Sequence, residues 1–150
     1  MAECGGFMYL HSGIEDAEGK IHPMCGVIKG NVRDKHKLIR FGYATFSKDG
    51  LWVKGHEFHY WDSDDCGSDW IAEKNSGKSY ECIHDDGRTV AGFPHFYYYS
   101  NPGLPLEFIR RCLAYKESRD RNPFPIPDQA LTPFSNGTTR RGCGVSDGNS

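Results

Sequence analysis

The sequence predicts a mixed domain of many short strands with one well-formed helix, and three observations carry that expectation. Eighteen glycines and eight prolines in 150 residues cut the chain into short segments between turns. Through its middle, apolar and aromatic residues alternate with polar ones at the period of two that a half-buried strand requires. At 104–116 the pattern changes to the spacing of an amphipathic helix. A chain of this length is enough for one domain with a core of reasonable size.

Taken in order, Ala2-Glu3-Cys4-Gly5-Gly6 ahead of Phe7-Met8-Tyr9-Leu10 reads as a tight turn from a strand into a helix. A cysteine with two glycines behind it is how such an elbow presents a nucleophile: the nucleophile's backbone is strained, and a neighbour larger than glycine would collide with the crossing strand or with a substrate. The Gly5 N–H, at the start of the helix, points to where a tetrahedral oxyanion would form. The plainer reading of Cys4 is a buried thiol in a glycine-rich turn. Residues 7–11 form the first turns of a short helix that ends at Ser12-Gly13. A polar turn over 14–20 follows, and then a short strand over 24–28, closed by Gly30-Asn31. Residues 38–46 are strand-like, with Ile39, Phe41, Tyr43 and Thr45 at alternate positions. Lys48-Asp49-Gly50 turns them into a hairpin whose second strand begins at Leu51 and runs on to Trp61. Residues 70–73 and 79–83 flank the turn Asn75-Ser76-Gly77, and 89–93 follows the turn Asp85-Asp86-Gly87. The helix over 104–116 carries Pro105 in its first turn and sets Leu106, Phe108, Ile109, Cys112 and Leu113 on one face. The domain is expected over 1–118. Residues 119–150, rich in Ser, Thr, Gly and Asn and without periodicity, are expected to be a disordered tail.

A net charge of -2 and a pI near 6.4 give no electrostatic argument for nucleic acid or a membrane surface, which leaves a small molecule or another protein as partner. No apolar run approaches a membrane span, and the first residues have neither the basic region nor the apolar core of a signal peptide, so the expected location is the cytoplasm. The six cysteines, at 4, 25, 66, 82, 112 and 143, include no C-x-x-C pair. That supports neither a zinc ribbon nor a dithiol motif, and free thiols are expected. Three residues precede Cys4, whereas an elbow follows a buried central strand. Either the chain is the carboxyl-terminal part of something longer, or the turn is not an elbow.

Two further segments carry candidate chemistry. Gly55-His56-Glu57-Phe58-His59-Tyr60 gathers two imidazoles and a carboxylate, but a zincin needs H-E-x-x-H on one helix face. In an extended segment His56 and His59 point to opposite faces and share no metal. These residues either line a polar pocket or hydrogen-bond to neighbouring loops. In Ala91-Gly92-Phe93-Pro94-His95-Phe96-Tyr97, His95 sits at the end of a strand, where a base reaches a cysteine on a neighbouring strand end. Class I amidotransferases use H-x-E there, with the residue at i+2 orienting the imidazole. Here that residue is Tyr97. A histidine packed among aromatics is the plainer reading.

Together and in this order, AECGGFMYL, GHEFHYWDS and AGFPHFYYYSNP followed by a helix closely resemble the carboxyl-terminal class I glutamine amidotransferase domain of the cobyrinic acid a,c-diamide synthases, over about residues 1–116. The resemblance implies a three-layer α/β fold with a mainly parallel central sheet, of which this chain is the carboxyl-terminal portion. It implies that Cys4 attacks the carboxamide of glutamine, that Gly5 supplies an oxyanion N–H, and that His95 activates the thiol and passes a proton to the leaving ammonia. Tyr97 stands where the family commonly has a second histidine. Its hydroxyl would orient His95 without bringing a charge. His56, Glu57 and His59 fall on the family's G-H-E-F-H-Y segment as structural or pocket-lining residues. The substrates implied are glutamine and, in the whole enzyme, the corrin precursor cobyrinate. ATP and Mg2+ belong to an amino-terminal P-loop domain. This sequence has no G-x-x-x-x-G-K-[ST], so no cofactor or metal of its own is expected, and a separate ATP-binding half is an implied partner. The alternatives are the glutaminase part of cobyric acid synthase or of another tetrapyrrole a,c-diamide synthase, and a truncated remnant or partner-binding fragment without catalysis.

Overall fold

The computed structural model describes residues 1–121, so the expected tail lies outside the described residues from 122 onward. The chain begins with β1 (Ala2–Glu3), turns at Cys4 into α1 (Gly5–Tyr9), and returns as β2 (His11–Glu15), β3 (Ile21–Pro23) and β4 (Ile28–Asp34). The long strands β5 (Arg40–Lys48) and β6 (Leu51–His59) come next, then β7 (Trp61–Ser63), β8 (Trp70–Lys74) and β9 (Ser79–Cys82). Three short strands, β10 (His84–Asp85), β11 (Val90–Gly92) and β12 (His95–Phe96), lead through a 3-10 turn at Tyr98–Ser100 to α2 (Gly103–Arg121).

The strands form three sheets, ordered β1-β11-β10, β12-β6-β5-β8-β9 and β3-β2-β4-β7. The pairs β1·β11 and β2·β4 are parallel; the other pairs are antiparallel. The fold is therefore mixed α/β and mostly strand, with mixed or antiparallel sheets where the resemblance implied a mainly parallel one. The reason lies in the connections. Parallel neighbours need a crossover of a dozen or more residues, whereas the turn-bounded segments of this chain close directly into antiparallel pairs.

The expected hairpin forms. Asp49 and Gly50 both take positive φ, 49° and 82°, the combination whose twist matches the flanking strands, and Lys48 pairs with Leu51 and Arg40 with His59. Asn75-Ser76-Gly77 likewise joins β8 to β9. Three local expectations change. The first helix stops at Tyr9, and His11–Glu15 is a strand, not a helix end and polar turn. Residues 24–27 are irregular, with strands on either side of them. Finally, α2 runs on to Arg121, past the expected boundary at 118.

Two apolar clusters fill the interior. One gathers Phe46, Val53, Trp70, Ala72, Ile83, Val90 and Leu104 beneath the five-stranded sheet, and the other Phe7, Ile28, Val32, Ala91 and Phe93 around α1. Strand β11 is buried at every position and serves both, with Val90 in the first cluster and Ala91 in the second. A continuous buried run of this kind is what a strand covered on both faces requires. In α2 Leu104 is buried, but Leu106, Phe108, Ile109 and Leu113 are exposed, so the apolar face read from the sequence exists but is covered only in part by the described residues.

Candidate active site

Cys4 sits where β1 ends and α1 starts. Its backbone takes φ 47° and ψ -109°, a combination that side-chain-bearing residues rarely adopt and that costs on the order of 1–3 kcal/mol. Two backbone hydrogen bonds hold it there: the Cys4 N–H donates to the Gly92 carbonyl at 2.9 Å, and the Cys4 carbonyl accepts from the Met8 N–H at 2.9 Å. The first is fixed by the parallel pairing of Glu3 with Gly92. The strain expected of an elbow is therefore present, but the reason given for the glycines is not. A Cβ on Gly5 would meet nothing within 4 Å, and one on Gly6 would make only an ordinary contact of 3.6 Å with Ala2 Cβ. Burial pushes the Cys4 thiol up from its ordinary value. The Gly5 N–H hydrogen bond pulls the other way, and the negative charges of Glu3 and Glu57 push it further up. At neutral pH this is a thiol awaiting a base.

His95 lies three residues beyond Gly92, whose carbonyl ties down Cys4. Strand β12 pairs antiparallel with β6, matching His95 with His56 and Phe96 with Gly55. The approach is closer than a side chain permits: a Cβ on Gly55 would lie 2.4 Å from the His95 carbonyl oxygen and 3.0 Å from Phe46 Cε2. Glycine at 55 thus lets the strand carrying His95 lie flush on β6. The imidazoles of His56 and His95 stack, with centroids 5.0 Å apart and planes at 14°.

On its edge, His95 Nδ1 faces Glu3 Oε2 at 3.9 Å. The other oxygen of Glu3, Oε1, accepts the Tyr98 hydroxyl proton. Burial and this bond push the Tyr98 phenol well above its ordinary value, so Tyr98 remains a donor. Tyr97 is 59% exposed; its ring lies 6.0 Å from Tyr99, and its backbone N–H bonds the Lys54 carbonyl at 2.8 Å. The acidic neighbour of His95 is therefore Glu3, which the sequence reading passed over. One signal was available, because Glu3 is the only carboxylate residue ahead of Glu15.

Glu57 and His59 share the inward face of β6, and His56 projects outward, so the two histidines do fall on opposite faces. Glu57 accepts the Tyr80 hydroxyl proton through Oε2 and has His59 Nε2 at 3.7 Å from Oε1. Burial alone would raise its carboxyl, but His59, Tyr80 and the charge of Arg40 outweigh that and hold it below its ordinary value. His59 Nδ1 bonds the Trp61 carbonyl at 2.7 Å, and its ring lies flat on Phe93 at 3.9 Å. Its Nε2 is buried without a hydrogen-bond partner. Arg40 covers the Tyr80 ring at 3.6 Å. Among the described residues, no three His, Cys, Asp or Glu side chains converge as a metal ion would require, and no helix is long and apolar enough to cross a membrane. Cys4, Cys25, Cys82 and Cys112 are free thiols. Cys66 is disulfide-bonded, which corrects the expectation of free thiols throughout.

A thiol on a strained elbow, a backbone N–H on its sulfur and an imidazole edged by a carboxylate are the components of thiol-based acyl transfer, here on a mixed α/β domain. The chain belongs to the CobB/CobQ-like glutamine amidotransferase domain family, whose profile matches residues 1–102. It is 38% identical to a cobyrinate a,c-diamide synthase of Fusobacterium nucleatum, over 67% of this chain and 24% of that protein. Proteins of the same description from Priestia megaterium and Salmonella typhimurium are 31% and 33% identical, over 79% and 75% of this chain and 28% and 27% of theirs. The chain thus spans about a quarter of the length of the curated relatives it matches.

Proposed function

We propose that this chain is the glutamine-hydrolysing part of a cobyrinate a,c-diamide synthase, supplying ammonia for amidation of the a and c carboxylates of the corrin ring. The observation that carries the reading is the strained Cys4 elbow, tied through Gly92 to the segment that bears His95; the names of the relatives supply the substrate. His95 takes the proton of the Cys4 thiol, and the sulfur attacks the side-chain carbonyl carbon of glutamine. The negative charge that develops on the carbonyl oxygen is met by the Gly5 N–H, and the open space at Gly5 is where the carboxamide lies. The C–N bond then breaks, the proton held by His95 goes to the departing nitrogen, and ammonia leaves behind a glutamyl thioester. Water gives a proton to His95 and its hydroxide attacks the thioester. The C–S bond breaks, the proton returns to sulfur, and glutamate is released.

The ATP- and Mg2+-dependent activation of the corrin carboxylates belongs to the part of the enzyme this chain does not span, whether joined to it or a separate half, and the mainly parallel central sheet of the three-layer domain is completed there, with β1·β11 as its parallel part here. A reaction that draws on ATP and glutamine fits a cytoplasmic enzyme, which is the location this reading proposes. The test is selective alkylation. At pH 7 a glutamine-mimicking diazoketone labels Cys4 ahead of the exposed Cys25, whereas iodoacetamide, which needs only an accessible thiolate, labels Cys25 first. Adding the ATP-binding half of a relative couples glutamate release to ATP use. Diazoketone labelling of Cys4 no faster than that of the exposed Cys25 would refute the catalytic reading.

A further inference from the structure

The glutaminase reading leaves open what orients His95, since Tyr97 at i+2 points to solvent, and the following inference rests on that reading. We propose that Glu3, the residue before Cys4, is the positioning residue for His95, and that Tyr98 in turn fixes Glu3.

The geometry is that of a three-member relay. Glu3 Oε2 stands 3.9 Å from His95 Nδ1, an ion-pair distance that tightens into a hydrogen bond once substrate closes the site. Oε1 is already taken by the Tyr98 hydroxyl, so the carboxylate cannot swing away without breaking that bond. Tyr98 stands three residues beyond His95, where it opens the 3-10 turn that follows β12. On its face the imidazole is held by the stack with His56. A carboxylate at Nδ1 keeps the proton on that nitrogen and leaves the Nε2 lone pair to take the thiol proton. His56 thereby gains a role as well, since the stack fixes the ring plane and Glu3 fixes its rotation within that plane.

Charge and position give opposite signs, and that separates them. The Glu3 charge raises the Cys4 thiol. If Glu3 acted only as a nearby charge, Glu3→Gln would free more thiolate and speed alkylation of Cys4. If it positions His95, the same change slows it.

The experiment uses the 150-residue chain labelled with 15N-histidine, as wild type, Glu3→Gln, Glu3→Asp and Tyr98→Phe. Nitrogen shifts of His95 report the tautomer, and the diazoketone reports the Cys4 rate. In the wild type His95 is expected to carry its proton on Nδ1. Glu3→Gln is expected to mix the tautomers and slow Cys4 labelling at least about tenfold, with Glu3→Asp recovering part of the loss and Tyr98→Phe showing a smaller version of it. Thermal unfolding of each variant excludes a folding defect. A wild-type tautomer in Glu3→Gln, or faster labelling of Cys4, overturns the proposal. If the wild-type Cys4 ignores the diazoketone, the glutaminase reading fails on its own, and the tautomer of His95 still decides the role of Glu3.

Discussion

Replacing Gly55 with alanine tests whether the close approach of β12 to β6 is what places His95. The added Cβ would lie 2.4 Å from the His95 carbonyl oxygen, and that atom belongs to a backbone paired across the strand, so it cannot rotate aside. Carbon–oxygen contacts relax at about 3.3 Å, so the strands must part by about 0.9 Å. Phe46 Cε2, 3.0 Å from the same point, must shift as well. Overpacking of this kind costs about 1–3 kcal/mol, which lowers the melting temperature on the order of 5 °C for a domain of this size. The effect on chemistry is larger, because a displacement near 1 Å costs about a hundredfold in a positioned reaction. Gly55→Ala should therefore keep most of its stability and lose most of its Cys4 labelling by the diazoketone. Differential scanning calorimetry and a labelling time course measure the two effects on one sample. Wild-type labelling in a folded Gly55→Ala protein would show that His95 owes its place to something other than the Gly55 contact.

Three further outcomes are expected. Cys4→Gly should melt higher than Cys4→Ala, by about 1–2 kcal/mol, because glycine accepts φ 47° without the strain an L side chain bears there; an equal or lower melting point would contradict the strained elbow. Asp85, buried between Arg111 at 2.6 Å, Lys48 at 3.3 Å and the Trp70 N–H at 3.1 Å, ties α2 to the sheet, and Asp85→Asn should cost about 2 kcal/mol in denaturant unfolding. Burial opposes its ionisation, but Arg111, Trp70 and Gly87 hold its carboxyl below the ordinary value. The advantage over Asp85→Asn is then complete above the unfolded-state value and should begin to shrink as the pH falls below about 4, disappearing once it passes the lower folded-state value; a gap unchanged at pH 3 would contradict the ion pairing. Tyr80→Phe, which strips the donor from buried Glu57, should destabilise by about 1–3 kcal/mol, and an unchanged unfolding midpoint would place Glu57 in water.

The parts of this fold that were legible in the sequence are those set by neighbours in the chain. Asp49-Gly50 and the alternation from Ile39 to Thr45 are sufficient for the β5–β6 hairpin, because turn chemistry and side-chain period act over a few residues. Strand β2 was missed for the opposite reason. Its first residue, His11, is fully buried, held by the Phe7 carbonyl at 3.0 Å and the Ser63 hydroxyl at 2.6 Å, and no local pattern marks a polar residue whose partner is fifty residues away. The same holds at the candidate site. Cys4 and His95 stand out by their flanking residues, whereas Glu3 becomes the neighbour of His95 through the pairing of residue 3 with residue 92. In α2 the periodicity gave the helix and its apolar face correctly, but periodicity does not say what that face packs against.

The pairing that closes the elbow also bears on the order of events in folding. The β5–β6 and β8–β9 hairpins join strands that are neighbours in sequence, while β1 must find β11 across most of the domain, Ala2 meeting Ala91. Long-range closure of this kind is entropically costly until the intervening chain is ordered. The turn at Cys4 is therefore expected to be the last piece assembled. In a refolding chain chased with brief pulses of iodoacetamide, Cys82, buried at the end of the β8–β9 hairpin, should become protected first. Cys4 should remain open until the final phase, so that the thiol expected to do the chemistry also serves as a clock for completion of the domain.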